Sequence, residues 1–254
     1  MSGKTAEIDK PDNIDIAVSG ILSLIREHRS EAGDRLPSER DLADRLGVTR
    51  NTIREALSVL ESMRVIERRP NSGVYVKDIR MESSVDLLVL QADLGLPGTA
   101  DDNFQAMEVR SLLEVQAIRL ACRRRSDSDL EKMRQILQLA ESQIAKGQPI
   151  NEEDEAFHMA IAAATKNAVL RRVLTVFYLM YRSRRMVYFS DKERSQRSQS
   201  HHRKMYEAIE ARDAAEAVAI LKQHLKEGAK VWETIFGAKA ARLRGSADRS
   251  KTDV

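Results

Sequence analysis

The sequence has little cysteine, aromatic residue, glycine or proline. Its single cysteine, Cys122, excludes an internal disulfide and a cysteine-based zinc cluster, and suits a reducing cytoplasm. Aromatic residues make up 4% of the 254 residues, and there are 11 glycines and 5 prolines. With 42% hydrophobic and 32% charged residues, this composition favours a mostly helical protein of two ordinary domains over a β-sandwich or a disordered chain.

Long apolar segments are also missing. No hydrophobic run approaches the roughly 18 residues that a membrane span needs, and the N-terminal MSGKTAEIDKPDN lacks the apolar core of a signal peptide. We therefore expect a cytoplasmic protein without a membrane partner. Bulk charge excludes little, because residues 1–80 contain 14 Lys and Arg against 14 Asp and Glu. A case for DNA binding must rest on where the arginines lie.

Residues 36–76, LPSERDLADRLGVTRNTIREALSVLESMRVIERRPNSGVYV, have the layout of a winged helix-turn-helix. Ser38 followed by Asp41 predicts a capped helix that ends before Gly47. Thr49 predicts the cap of a second helix with a buried apolar stripe. Two short strands, 65–69 and 74–77, follow around a Pro-Asn-Ser-Gly turn.

The start of the second helix is free of acidic residues and suits a recognition helix. Arginine can bridge the O6 and N7 atoms of guanine and asparagine can pair with adenine, so basic and amide side chains here predict base readout in the major groove. The alternative is that the arginines only solvate a helix face. The DNA-binding candidates are Arg40, Thr49, Arg50, Asn51, Thr52, Arg54 and the wing tip Asn71, Ser72 and Gly73.

Beyond the wing, the pattern predicts a helical second half. The expected organisation is a disordered N-terminus at 1–12, a winged helix-turn-helix at 13–78, a linker with a short helix at 79–102, a helical domain at 103–236 and a flexible tail at 237–254. Successive amphipathic segments without strand signals indicate an all-α bundle, so the fold class is mainly α. Among these segments, Asn151 is a predicted helix cap, and a later helix is predicted over about 198–212.

Three histidines and an aspartate of the bundle form a candidate metal site. Asp154 and His158 are four residues apart and share one helix face. His202 and His224 each lie 11 residues from Asp213, the expected turn between two antiparallel helices, which places them at equal height. Together the four side chains suit zinc or a similar divalent ion. Hydrogen-bonded core histidines are the alternative. His201 is expected outside the ligand set, near it or at the surface.

Arg110, in the segment EVRSLLE at 108–114, is a candidate for effector binding. Its guanidinium would suit both oxygens of a carboxylate if it faced a cavity. A helix-face pair with Glu114, four residues on, explains the residue equally well.

The chain resembles the GntR family of bacterial transcription regulators, in the FadR-type subfamily with a C-terminal FCD ligand-binding domain. The resemblance rests on LPSERDLADRLGVTRNTIREALSVLE, on EVRSLLE, on DEAFHMAIAAATKN at 154–167 and on HRKMYEAIEARDAAEAVAILKQHL at 202–225. It implies a bundle of six or seven helices, a homodimer and a palindromic operator. It also implies a divalent metal on Asp154, His158, His202 and His224. Zinc is the expected ion, and nickel and manganese are the alternatives. The family's DNA-contacting arginines fall on Arg40, Arg50 and Arg54, and Asn51 stands where threonine is frequent.

The function expected from these features is a metabolite-responsive regulator rather than an enzyme. A small organic acid bound at the metal would change the operator affinity of a repressor. One alternative is a constitutive DNA-binding protein whose metal is structural. A metal-dependent hydrolase with a DNA-targeting head is disfavoured, because all four ligands are used on the metal and no separate general base is evident.

Overall fold

A computed structural model describes residues 12–96 and 98–232. The predicted tail at 237–254 and all but the last residue of the predicted N-terminal segment 1–12 lie outside the described residues. The chain divides into two compact units, residues 1–97 and 98–254. The finer boundaries expected from the sequence stay predictions.

The first unit is a winged helix-turn-helix. Its elements are α1 (Asn13–Glu27), α2 (Glu39–Leu46), α3 (Arg50–Ser62), β1 (Ile66–Arg69), β2 (Gly73–Val76), α4 (Ile79–Glu82) and α5 (Asp86–Asp93). The two strands pair antiparallel, with Ile66 opposite Val76 and Arg69 opposite Gly73. The predicted wing is therefore a two-stranded ribbon directly after the recognition helix.

Local capping explains the bounds of α2 and α3. Ser38 and Asp41 form a reciprocal capping box at the start of α2. Gly47 ends that helix in the left-handed conformation (φ 66°), which glycine adopts without a side-chain penalty. Thr49 is the N-cap of α3, and its side chain accepts a hydrogen bond from the backbone N–H of Thr52. All three local predictions are confirmed.

The core of this unit joins α1 to the helix-turn-helix and the wing. Ile21 of α1, Leu42 of α2 and Ile53 of α3 are fully buried in one apolar cluster. Leu87 of α5 belongs to the same cluster. The short helix expected in a linker therefore contributes a buried side chain to the core of the first unit.

The regular elements in the described part of the second unit are all helices. They are α6 (Ala100–Arg124), α7 (Asp127–Ala145), α8 (Asn151–Ala164), α9 (Ala168–Met180), α10 (Arg182–Phe189), α11 (Lys192–Glu210) and α12 (Ala214–Trp232). The mainly α fold class is thus confirmed, with seven helices in the described part of this unit. Nowhere in residues 12–96 and 98–232 is there a helix long and apolar enough to cross a membrane.

Three helix starts differ from the predictions. The predicted cap Asn151 is wrong, since it is the first helical residue of α8 and follows Ile150, which makes no side-chain cap bond. Helix α11 begins at Lys192 rather than near 198, because Asp191 caps it. Helix α10 was not predicted, since it follows α9 at Tyr181 without a capping side chain or a glycine or proline break.

The last two helices form the antiparallel pair on which the histidine prediction depends. The Asp213 carboxylate accepts hydrogen bonds from the backbone N–H groups of Ala215 and Glu216, as expected of an N-cap. Met205 and Ile209 of α11 and Leu221 of α12 lie in one buried cluster. The turn therefore returns α12 along α11, with His202 and His224 facing each other.

Candidate metal centre and nucleic-acid interface

Asp154, His158, His202 and His224 converge in the interior of the second unit. Helix α8 supplies the first two, α11 the third and α12 the fourth. One ligand atom from each lies within 4.8 Å of every other. Asp154, His158 and His202 are buried, and His224 is half-buried. The structure therefore brings together the four candidates that sequence spacing selected.

Two of the distances in this cluster match a tetrahedral ion, while His158 Nε2 and Asp154 Oδ1 are farther apart, at 4.0 Å. His158 Nε2 is 3.3 Å from His224 Nε2, and Asp154 Oδ1 is 3.4 Å from His202 Nε2. A zinc ion with bonds of about 2.0–2.1 Å separates its ligand atoms by roughly 3.3–3.4 Å in tetrahedral geometry. Ligand atoms that are now up to 4.8 Å apart would have to move closer together for all four to bind one ion.

Burial sets the protonation states that a cation requires. Loss of hydration lowers the pKa of His202 and, reinforced by the neighbouring imidazoles, places the pKa of His224 well below its ordinary value. Burial alone would raise the pKa of Asp154, but the hydrogen bond to His202 and the nearby imidazoles lower it below its usual range. Neutral imidazoles and an ionised carboxylate are the ligand forms of a divalent metal.

Acidification of the metal-free protein from pH 7 to pH 5.5 is expected to lower its unfolding temperature. Because the folded state holds the pKa of His202 and His224 below the ordinary 6.5, the unfolded chain binds protons first and stability falls with pH. The lowered pKa values of Asp154 and Glu114 add their own loss only below about pH 4.5. Differential scanning calorimetry between pH 5 and pH 8, with a chelator present to keep the protein metal-free, measures how the unfolding temperature changes with pH. Exposed His28 provides a control, since H28Q should leave the slope unchanged, whereas a flat wild-type profile would contradict the prediction.

Glu114 orients one of the metal-ligand candidates. Its Oε2 lies 2.7 Å from His158 Nδ1, while its Oε1 accepts hydrogen bonds from Arg110 Nε (2.6 Å) and the Tyr178 hydroxyl (2.9 Å). A carboxylate on Nδ1 directs the Nε2 lone pair of His158 toward the cluster. Sequence reasoning missed Glu114 and Tyr178 in this role. The four-residue spacing from Arg110 was the available signal for Glu114, and Tyr178 had none.

Arg110 forms the pair with Glu114 that was one of the two alternatives for its position, and effector binding stays a prediction. It is paired with Glu114 on one helix face, and the pair is buried beside the histidines, with side chains 7% and 5% exposed. Arg110 Nη2 also donates to the Tyr178 hydroxyl at 2.7 Å. The guanidinium is thus held close to the candidate metal centre by partners already in place.

The space beside the cluster is small. A cavity lined by Glu114, His158, Tyr178 and apolar side chains has room for about one water molecule. An organic acid would have to displace side chains to enter here. Ligand binding at this point would therefore change the packing among α6, α8 and α9.

His201 is buried, so the expectation that it could lie at the surface is wrong. Its side chain is on the His224 side of the cluster, with the two ring centroids 5.8 Å apart. Burial lowers its pKa. It remains outside the four-residue cluster because α11 turns it about 100° away from His202.

The recognition helix exposes its candidate DNA contacts at the start of α3. Arg40, Arg50, Asn51 and Arg54 are exposed. Asn51 Nδ2 donates to Glu55 Oε1 at 2.7 Å, and Arg54 Nε is 2.8 Å from Glu39 Oε2. These carboxylates hold two of the candidate base readers, so base reading by either residue would require DNA to replace its carboxylate partner.

Thr49 and Thr52 are coupled to each other at the same helix end. Their hydroxyl oxygens are 2.9 Å apart, and Thr49 Oγ1 also accepts from the Thr52 backbone N–H at 3.1 Å. Thr49 is thereby shown to be a helix cap. A role in DNA binding for either threonine stays a prediction.

The wing tip depends on two residues with positive φ. Asn71 has φ 57° and Gly73 has φ 135°. The positive φ of Gly73 disfavours any side chain there, and a β-carbon would also require the flexible end of Arg35, 2.8 Å away at Nε, to move. Ser72 Oγ lies 2.6 Å from the Tyr75 hydroxyl. The tip is therefore held in a defined turn, and its role in DNA binding stays a prediction.

Comparison with known proteins accounts for both units. Residues 17–76 match the family model for bacterial regulatory proteins of the gntR family, and residues 105–227 match the FCD domain. The chain is 31% identical over 207 residues to the HTH-type transcriptional regulator LutR of Bacillus subtilis, covering 80% of this chain and 93% of that protein. It is 32% identical over 216 residues to the putative L-lactate dehydrogenase operon regulatory protein of Escherichia coli, covering 81% and 80%.

A solved structure shows the same fold at low sequence identity. The Listeria monocytogenes regulator Lar is 18% identical, with a TM-score of 0.55 over 89% of this chain and 96% of that one. The matched families are transcription regulators and not enzymes, which confirms the class expected from the sequence. The chain belongs to the GntR family of bacterial regulatory proteins and carries a C-terminal FCD domain.

Proposed function

We propose that this protein is a cytoplasmic repressor whose homodimer binds a palindromic operator and changes its operator affinity when a small organic acid binds a divalent metal in the FCD domain. The observation that supports this most directly is the buried cluster of Asp154, His158, His202 and His224. Zinc suits its ligand types and spacing, and nickel or manganese would suit the same donors.

The metal would supply a positive charge that binds a carboxylate. Arg110, held 2.6 Å from Glu114 beside the same site, would donate a hydrogen bond to that carboxylate. Since the cavity beside His158 holds about one water molecule, the acid would have to shift side chains of α6, α8 and α9. This forced repacking is the physical link that we propose between effector binding and the DNA-binding units.

The effector class is a small carboxylic acid. Two relatives bear names that refer to the L-lactate dehydrogenase operon and the Uxu operon, the second matching 38% over 57% of its length. L-lactate is therefore the first acid to test, followed by larger hydroxy acids and sugar acids.

A homodimer is proposed from apolar side chains on α6 and α9. Val109 and Leu112 of α6 are 44% and 64% exposed, and Val169 and Val173 of α9 are 59% and 40% exposed. The opposite sides of both helices are joined through the buried cluster around Ala117 and Leu174. Exposed side chains at helical spacing on two neighbouring helices form a surface that a second copy would cover.

Replacing Leu112 by glutamate is expected to convert the dimer to monomers and weaken operator binding, because it places a charge in the proposed interface. Light scattering after size-exclusion chromatography gives the mass. Leu139 of α7 is 52% exposed and provides the matched control, since L139E should remain dimeric. Identical masses for L112E and wild type would exclude α6 from the interface.

The proposed function is tested by operator affinity with and without effector. A duplex enriched from a random DNA library by the full-length protein serves as the probe. Its affinity is then measured with zinc and a panel of acids beginning with L-lactate. A change of tenfold or more with one acid supports the proposal, and no change with any acid or metal would contradict it.

A constitutive DNA-binding protein with a structural metal is the second candidate, favoured by the closed cavity. It predicts that R110Q leaves the operator response unaltered. Effector-dependent binding in the wild type that is lost in R110Q would exclude it.

A further inference from the structure

We propose that Arg185 of α10 is a specificity-determining residue, which donates a hydrogen bond to an oxygen of the effector other than its carboxylate. The site would therefore prefer hydroxylated monocarboxylic acids to plain ones. This inference rests on the proposed function and names the class of acid that it requires.

Arg185 has a buried donor that the protein does not use. Its side chain is 4% exposed. Nη1 donates to the backbone carbonyl of Tyr178 at 2.7 Å, and Nη2 contacts the Glu155 carboxylate. Nε has no hydrogen-bond partner among the described residues. A buried N–H of a charged group that lacks an acceptor is costly, so a ligand or water oxygen is expected there.

The Arg185 side chain adjoins a tyrosine that also lies against the candidate metal centre. The Arg185 guanidinium is 5.0 Å from the centre of the Tyr178 ring, and the Arg110 guanidinium is 4.4 Å from the same ring. The ring centroids of Tyr178 and His158 are 5.6 Å apart. Glu155, the partner of Arg185, directly follows Asp154 in α8. One tyrosine ring thus adjoins both arginines and a candidate metal ligand.

The charges around this ring favour one carboxylate on the ligand. Glu155 balances Arg185, and Glu114 balances Arg110. Asp154 leaves a divalent ion with one positive charge, which a monocarboxylate would neutralise. A second carboxylate would be buried without a balancing cation, at a desolvation cost. The free Nε–H is therefore suited to a neutral hydroxyl or carbonyl oxygen.

Matched pairs of acids test this role. Calorimetric titration of the zinc-loaded full-length protein compares D-gluconate with hexanoate and L-lactate with propanoate, with succinate as the dicarboxylate. In the wild type, at least one hydroxylated acid should bind more tightly than its plain counterpart and than succinate. R185Q should weaken that acid roughly 10- to 100-fold, the effect of one hydrogen bond to a charged group, and leave the plain acid unchanged. A hydroxyl that only chelates zinc keeps its advantage in R185Q.

Two variants separate binding from structure. R182Q removes an exposed arginine from the same helix and should bind every acid as the wild type does. E155Q/R185Q removes both charges of the pair, so no carboxylate is left without its partner, and it should show the same selective loss. Zinc affinity and unfolding temperature should be close to wild type in the double variant.

Each remaining outcome has a defined meaning. Equal weakening of both members of a pair, or no weakening, overturns the role of Arg185. If none of these acids binds while another acid changes operator affinity, the role of Arg185 fails and the proposed function stands. If no acid changes operator affinity, the proposed function fails.

Discussion

Replacing His224 by alanine is expected to lower the zinc affinity of the full-length protein by more than about a hundredfold, since changing even a group that only orients a ligand costs 10- to 100-fold. Its Nε2 is 3.3 Å from His158 Nε2, so its loss removes one corner of the proposed tetrahedral site. Because His224 is half-buried, the fold should tolerate the change. Competition with a chromophoric chelator measures the affinity. We expect operator binding to persist and its response to the acid to disappear.

Two further variants provide zinc affinities to compare with that of H224A. E114Q should lower zinc affinity about 10- to 100-fold, because Glu114 orients His158 without touching the metal. H28A changes an exposed histidine of the first unit and should bind zinc as the wild type does. If H224A kept full zinc affinity, the ion would be bound elsewhere and the proposed centre would be wrong.

Replacing Arg50 by alanine is expected to reduce operator affinity by about 2–6 kcal/mol in the dimer, since one bidentate arginine–guanine pair contributes about 1–3 kcal/mol and each dimer contains two copies. Arg50 is exposed at the first position of α3, where recognition helices contact base edges. Fluorescence anisotropy at fixed salt, with the selected operator and an unrelated duplex, measures the loss. The operator should lose far more than the unrelated duplex.

A matched control distinguishes base reading from general charge. Arg26 is exposed near the end of α1, and R26A removes the same charge from a helix other than the recognition helix. It should weaken both duplexes slightly and equally, and less so at higher salt. Equal loss of both duplexes in R50A would instead assign Arg50 to phosphate binding.

The head could be predicted closely because its signals are local. The Ser38–Asp41 capping box, the left-handed Gly47 and the Thr49 cap each involve residues at most three positions apart. Helix α10 was not predicted because it lacks such a local signal, since no capping side chain separates it from α9. Its position depends on the buried contacts of Arg185 and Phe189 with other helices, which leave no periodic mark in the sequence.

The candidate metal centre could likewise be predicted from the sequence only in part. Spacing around Asp213 placed His202 and His224 at one height, because an antiparallel helix pair has a regular rise on both sides of its turn. Spacing likewise put Asp154 and His158 on one face of α8. These relations follow from helix geometry alone and were available from the residue numbers.

Only the tertiary structure decided how α8 faces that pair and what surrounds it. Glu114 and Tyr178 are 64 residues apart, yet their 2.9 Å contact helps to hold the carboxylate that orients His158. The burial of Arg185 and its unused Nε–H also arise from contacts between helices. Periodicity predicts which side of a helix is buried, but which buried sides meet depends on how whole helices pack.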